Sequence, residues 1–157
     1  MRAGASTRQD KAVASRMNED LCVRFAKTDE LHFVSQDGYI PANIVARKIE
    51  SNEVILAEIN GQPVGYLRLE YLWSIVPYIA LITVLPSQQR HGVGKAMLDF
   101  TAAYLAENGH EWLYSSSQAD EPEPQSWHRR MGFQDCGVIT GINQDGISEI
   151  FFRKKIV

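Results

Sequence analysis

A chain of 157 residues, 45% hydrophobic and 22% charged, is long enough to bury one sizeable core but short for two domains. Its formal charge of −3 and pI near 5.8 provide no broad basic field, so nucleic acid is not expected as a partner. Cys22 and Cys136 stand alone, with no CxxC and no Cys/His ligand spacing, which argues against a disulfide framework and a structural metal and suits a reducing cytoplasm.

In chain order, "MRAGASTRQDKAVASR" is small, polar and basic and lacks the apolar middle of a secretory signal. Residues 1–19 therefore read as a flexible tail, with Met17 a second candidate start, and residues 20–157 as a single domain. "LCVRFA" (21–26) alternates apolar and polar residues and makes the first strand. Residues 28–36 and 41–51 read as helices, the second on the recurrence of Ile44, Val45, Lys48 and Ile49, with "DGYIP" a turn that presents Tyr39. "EVILAEI" (53–59) and "VGYLRLEYLW" (64–73) form a hairpin on Asn60-Gly61, residues that tolerate the positive φ of a tight turn. The longest apolar run, "SIVPYIALITVLP", is too short for a membrane span and is interrupted by Pro77, so no membrane partner is expected. Its "YIALITVL" (78–85) instead reads as a central strand covered on both faces.

Downstream of it, Val93, Met97, Leu98, Thr101, Ala102 and Leu105 form the inner stripe of a helix that stops at Asn108-Gly109. "EWLYSSS" (111–117) is another strand, and "ADEPEPQSWHRRMGF" a loop and short helix ending at Gly132. "CGVITGI", the turn "NQDG" and "ISEIFFRKKI" make a second hairpin. Together these elements predict an α+β single domain, a mixed sheet with helices packed on it.

The segment "VLPSQQRHGVGKAMLDF" (84–100) carries the chemistry. A strand, a glycine-rich turn and a helix start aim unpaired N–H groups and the positive end of a helix dipole at one point, which suits phosphate. A Cβ at Gly92 or Gly94 would hold an anion away from the backbone, although the same glycines also suit a sharp turn and a helix-packing contact. The Walker A pattern fails, because Gln89 and Ala96 stand where it needs glycine and Ser/Thr. The dinucleotide fingerprint fails at Met97, where a third glycine is required.

Gln89-Arg90-His91-Gly92-Val93-Gly94 does fit the pattern Gln-x-x-Gly-x-Gly, and "WHRRMGF" (127–133) closes the domain with a helix and Gly-Phe. In these motifs and in element order, residues 20–155 resemble the GNAT N-acetyltransferase superfamily. The resemblance implies a mostly antiparallel sheet of six to seven strands, helices on both faces, and strands 4 and 5 splayed around acyl-CoA. It implies that backbone amides from Gln89, Arg90, His91, Gly92, Val93, Gly94 and Lys95 hold the pyrophosphate of acetyl-CoA. Thr83 and Val84 would pair with the pantetheine arm, and the amide of Val84 or a neighbour would face the developing oxyanion.

The implied reaction is direct attack of an amine on the thioester, the acceptor being a small molecule or a peptide. His128 stands where many members have tyrosine, and is the candidate general acid, with cofactor contact and a structural role as its alternatives. The strand "YIALITV" has no carboxylate, which leaves Glu70 as the candidate base through water, against a plain role as a solvated edge residue. The family's asparagine ahead of the closing helix has no match in "ADEPEP", and Ser117 is its candidate substitute. Tyr39, Tyr71, Trp73 and Tyr78 offer aromatic surface for an acceptor pocket. The rival readings are a domain that binds acyl-CoA without turnover, a protein N-terminal or lysine acetyltransferase, and a small nucleotide-binding domain. No metal is expected, and homodimerisation is left open.

Overall fold

The computed structural model describes residues 20–157, so the tail expected over residues 1–19 lies outside the described residues. In chain order the elements are β1 (Leu21–Phe25), a 3-10 turn (Thr28–Glu30) leading into α1 (Leu31–Val34), α2 (Ala42–Glu50), β2 (Val54–Ile59), β3 (Gln62–Leu72) and β4 (Val76–Val84). There follow α3 (Val93–Glu107), β5 (Trp112–Gln118), α4 (Pro122–Arg130), β6 (Gln134–Ile139) and β7 (Glu149–Lys155). All seven strands join one sheet in the order β1-β2-β3-β4-β5-β7-β6. Every neighbouring pair is antiparallel except β4 and β5, which run parallel.

The helix read over residues 28–36 is shorter than its pattern suggested, a 3-10 turn and one α-turn. It ends because Asp37 is drawn onto the sheet. Arg68 on β3 is 3% exposed and donates two hydrogen bonds to that carboxylate, at 2.6 and 2.8 Å, while Tyr66 Oη donates a third at 2.7 Å. Burial opposes ionisation of Asp37, but the hydrogen bonds from Arg68 and Tyr66 win and hold its carboxyl well below the usual carboxylate range. The α1–α2 loop is thereby fixed over β3 and β4 at the level of Leu81 and Thr83, the Cα partners of Arg68 and Tyr66.

Strand pleating divides the interior between the two faces of the sheet. Ile55, Ala57, Leu67, Leu69 and Ile79 pack under α3 with Val93, Met97, Leu98 and Leu105, and Phe133 and Phe152 continue this core. Val54, Leu56 and Tyr66 pack against Val34, Val45 and Ile49 of α1 and α2. Both faces are covered over β2 and β3, which explains why the sequence there is apolar at consecutive positions. Lys48 of α2 is also buried, and its Nζ reaches Leu69 O at 2.9 Å, Glu53 at 3.0 Å and Glu70 at 3.0 Å.

One glycine sets how closely α3 and β4 approach. A Cβ on Gly65 would stand 2.8 Å from Thr83 O and 3.2 Å from Met97 Cε, inside van der Waals contact on the strand side. Gly65→Ala is therefore expected to destabilise by about 1–3 kcal/mol, read from denaturant unfolding, because β4 backbone must shift to admit the methyl. Asp37→Ala leaves the Arg68 guanidinium buried without its counter-charge, and the same measurement should show a loss of about 3–5 kcal/mol.

Candidate functional site

Strands β4 and β5 share only two rungs, Tyr78 with Tyr114 and Ile79 with Ser115. Immediately beyond them the β3–β4 register slips, Arg68 facing Leu81 and Leu69 facing Ile79, so that Ala80 is an extra residue in β4. Such a bulge bends its strand. From Ala80 to Val84, β4 has no partner on its β5 side, and a slot opens into the sheet.

The antiparallel ladder determines which backbone groups face that slot. Leu85 N–H bonds Val64 O at 2.8 Å, so Gly65 and Val84 are a pair that does not exchange hydrogen bonds. The N–H and C=O of Val84 therefore point away from β3 into the slot, and by the same alternation so do those of Ile82, opposite Leu67. Thr83, expected at the same edge, instead directs its backbone toward Tyr66 on β3. Thr83 is still among the residues that line the cleft.

At its outer end the slot runs into a cleft of about 840 Å³, walled by Ile82, Thr83 and Val84, by the loop from Gln88 to Arg90, by the start of α3, and by α4. The loop turns sharply twice, with Arg90 at φ 63° and Gly92 at φ 80°, and Gly92 caps α3 in the left-handed conformation. The first intrahelical bond here is Ala96 N–H to Gly92 O, at 3.0 Å, which leaves the amides of Val93, Gly94 and Lys95 unpaired at the positive end of a helix of 15 residues. Gly94 faces the Trp127 ring across the cleft, a Cβ there standing 3.5 Å from it. Arg90 and Arg130 bring positive charge to the lining, Lys95 a charge paired with Asp99 one turn along α3, and Glu123 one negative charge. Gln89 donates from Nε2 to Val84 O at 3.2 Å, covering the end of the strand. His91 is exposed in the same loop and stands outside the lining.

His128 lines the cleft from α4 but is 3% exposed. Its ring stacks on Phe152 at 4.7 Å and 4°, with Phe133 and Trp127 at its edges. Nδ1 lies 2.7 Å from Pro124 O, and since a carbonyl can only accept, Nδ1 carries the proton. Nε2 therefore accepts from Ser115 Oγ at 2.6 Å. Burial, the largest influence, pushes the His128 pKa down, so the ring is neutral at pH 7. The acid role expected for it needs a proton free to move toward the cleft, and in this arrangement the single ring proton is held by Pro124.

Ser117, two residues along β5 on the same face as Ser115, is buried with an Oγ that has no hydrogen-bond partner among the described residues. An orphaned hydroxyl of this kind suits a ligand amide. Glu70, the candidate base, is not among the cleft residues. Its carboxylate is held by Lys48, over a separate depression lined by Ile44, Arg47, Ser51 and Glu53. Of the aromatic residues, Tyr78 stands at the apex of the slot and Tyr39 on the fixed α1–α2 loop. Trp73 is at the opposite end of β4, in the β3–β4 turn, and Tyr71 packs beside His110 beyond the C-terminus of α3.

The family model of the acetyltransferase (GNAT) family matches residues 17–133, and the chain belongs to that family. Solved structures share its fold at low identity. Ard1 from Thermoplasma volcanium superposes with a TM-score of 0.78 at 15% identity, over 88% of this chain and 99% of that one. The yncA protein of Salmonella typhimurium, solved with its cofactor acetyl-CoA, gives 0.74 at 14% identity, over 88% and 95%. The ribosomal-protein-S18-alanine N-acetyltransferase of Escherichia coli gives 0.71 at 18%, over 87% and 94%. The seven-stranded, mostly antiparallel sheet with four helices is the fold the sequence resemblance implied.

The buried neutral imidazole makes a stability prediction. Above the unfolded pKa of about 6.5 the ring is neutral in both states and pH has no leverage through it. Below it, the unfolded chain takes up a proton that the fold resists until its own lower pKa, so stability falls as pH drops from about 6.5. His128→Phe keeps the stacked ring and should flatten the Tm against pH curve below 6.5; an unchanged slope would place the titration elsewhere.

Proposed function

We propose that the chain is an N-acetyltransferase, transferring the acetyl group of acetyl-CoA directly to an amine of a peptide or small molecule. The observation that carries it is the continuity of the slot with the helix start: one open strand edge leads without interruption into three unpaired amides. A pyrophosphate fits those amides and the neighbouring Arg90 and Lys95. An amide-bearing arm fits the N–H and C=O of Val84 as an added strand would. The acyl donor's thioester then falls toward the apex, nearer Ile82 than Val84. We assign the oxyanion contact to Ile82 N–H on that ground, and the remaining contacts to Ser117 Oγ and the wall formed by Trp127.

His128 acts by ordering Ser115 in the wall of the slot, since it is neutral and its proton is engaged. The ordered hydroxyl and the closed aromatic packing exclude water from the apex, which strengthens every electrostatic contact there. The acceptor enters from the opposite face, beneath the α1–α2 loop, where Tyr39 and Tyr78 remain of the four aromatics first considered. One of the superposed proteins is named a ribosomal-protein-S18-alanine N-acetyltransferase, which supports including peptide N-termini among the acceptors.

The neutral, engaged state of His128 also suits a domain that binds acetyl-CoA without turnover. Thiol release separates the two readings when acetyl-CoA is offered with peptides beginning in alanine, serine or methionine, with an N-acetylated lysine peptide, and with spermidine. Release with at least one supports transfer; tight binding with release from none supports the binding module. Gly94→Val should raise the Kd for acetyl-CoA by about tenfold or more, equivalent to ~1.4 kcal/mol, because its methyls enter the gap opposite Trp127. An unchanged Kd in a folded variant removes the loop as the phosphate site.

A further inference from the structure

Adjacent serines of β5 point to opposite faces of the sheet. Ser115 reaches His128 beside α4, whereas Ser116 emerges on the face of the α1–α2 loop and joins a chain of hydrogen bonds there. Tyr78 Oη and Ser116 Oγ are 2.6 Å apart, and Ser116 Oγ donates to Glu149 Oε1 at 2.6 Å. A carboxylate only accepts, so the serine proton points to Glu149 and the serine oxygen accepts from Tyr78. Asn143, in the β6–β7 connection, donates to the other carboxylate oxygen, Oε2, at 2.7 Å. The Tyr78 ring is itself held by stacking on Phe151 at 5.9 Å.

The place of this chain is informative. Tyr78 belongs to the last stretch where β4 and β5 pair, and Ser116 is the first β5 residue past the paired rungs. The Tyr78–Ser116 bond therefore bridges the apex of the slot, on the face opposite α3 and α4. The charges facing Tyr78 are Glu149 from β7 and Glu70 from β3. Glu70 is bonded to Lys48, which it shares with Glu53, whereas Glu149 is hydrogen-bonded into the Tyr78–Ser116 chain, which makes Glu149 the carboxylate linked to the apex.

We propose that Tyr78, Ser116 and Glu149 form a proton relay on the acceptor side of the slot, with Asn143 orienting its terminal carboxylate. The proposal rests on the acetyltransferase reading. The incoming ammonium gives a proton to Tyr78 Oη as the tyrosine hydroxyl proton passes to Ser116 Oγ and the serine proton to Glu149 Oε1. The relay ends with Tyr78 and Ser116 in their starting protonation states, Glu149 as the carboxylic acid and the amine neutral. The amine lone pair then forms the C–N bond at the thioester carbonyl, the C–S bond breaks with its electron pair on sulfur, and the second amine proton neutralises the thiolate. Glu149 returns its proton to water. Concerted transfer never requires a free tyrosinate, which burial of the Tyr78 hydroxyl disfavours.

The test compares two nucleophiles in wild type, Glu149→Gln and Ser116→Ala: the best acceptor of the panel above, and hydroxylamine, which is already neutral at pH 7. With the panel amine, both variants should lose about 10²-fold or more in kcat, with the KM for acetyl-CoA unchanged. With hydroxylamine, after subtraction of the uncatalysed rate, both should stay within about threefold of wild type, since no proton need be removed before attack. Equal loss with both nucleophiles, or no loss with either, overturns the relay. Should Glu149→Gln unfold, the ratio of the two rates in Ser116→Ala decides alone. A wild type that acetylates no panel amine defeats the acetyltransferase reading and the relay with it, whereas an active wild type with an unchanged ratio defeats the relay only.

Discussion

The organising constraint of this molecule is the incomplete pairing of β4 with β5. A parallel neighbour would ordinarily continue along both strands, each backbone group finding a partner. Here pairing stops after two rungs, because the extra residue at Ala80 bends β4 away while β5 stays in register with β7 through Gln118. The groups of Ile82 and Val84 that find no partner on β5 are left at an opening rather than in a core, where they would carry a desolvation cost. The rest of the architecture supports that opening: Gly65 lets β4 lie close to α3, and α3 brings its unpaired amides to the outer end of the same edge.

The two faces of the sheet at the slot belong to different cores and different chemistry. On one side the helix start and the α4 wall collect amides, guanidinium groups and an indole, a surface suited to a polyanionic, extended ligand. On the other, the Arg68–Asp37 pair holds a loop over the strands, and the Tyr78–Ser116–Glu149 chain ends in a carboxylate suited to a cation. The alternation of side chains along β5 connects them. Consecutive serines, one bonded to a neutral imidazole and one to a carboxylate, put two different proton-transfer environments a single residue apart.

Much of this was legible because it is local. Asn60-Gly61, Gly92 and Asn108-Gly109 mark turns and helix ends by their tolerance of unusual backbone angles, and the structure uses them so. The α3 stripe follows from the helical repeat, whereas β4, read as covered on both faces, is mostly half-buried with Ala80 exposed, because its edge beyond Ile79 opens on the slot. The pattern over residues 28–36 was misleading in length, since the residue that ends the helix does so through a partner 31 positions away. The triple serine 115–117 was the one visible signal of the Tyr78–Ser116–Glu149 network: consecutive hydroxyls in a strand place hydrogen-bonding groups on both of its faces. Its partner Glu149 gave no such signal, being one acidic residue in an alternating hairpin.

Composition, periodicity and the glycine-rich strand-to-helix junction were thus enough for the element order, the fold class and the sharp turn that opens α3, because backbone angles and helix dipoles depend on residues close in sequence. Pairing across distant segments was not. Lys48 drawing Glu70 away, Pro124 and Ser115 occupying both nitrogens of His128, Thr83 turning its backbone to β3, and Glu149 reaching Ser116 all depend on register and on which face a strand presents. A shift of one residue reverses every such assignment, and only the packed tertiary structure selects the register.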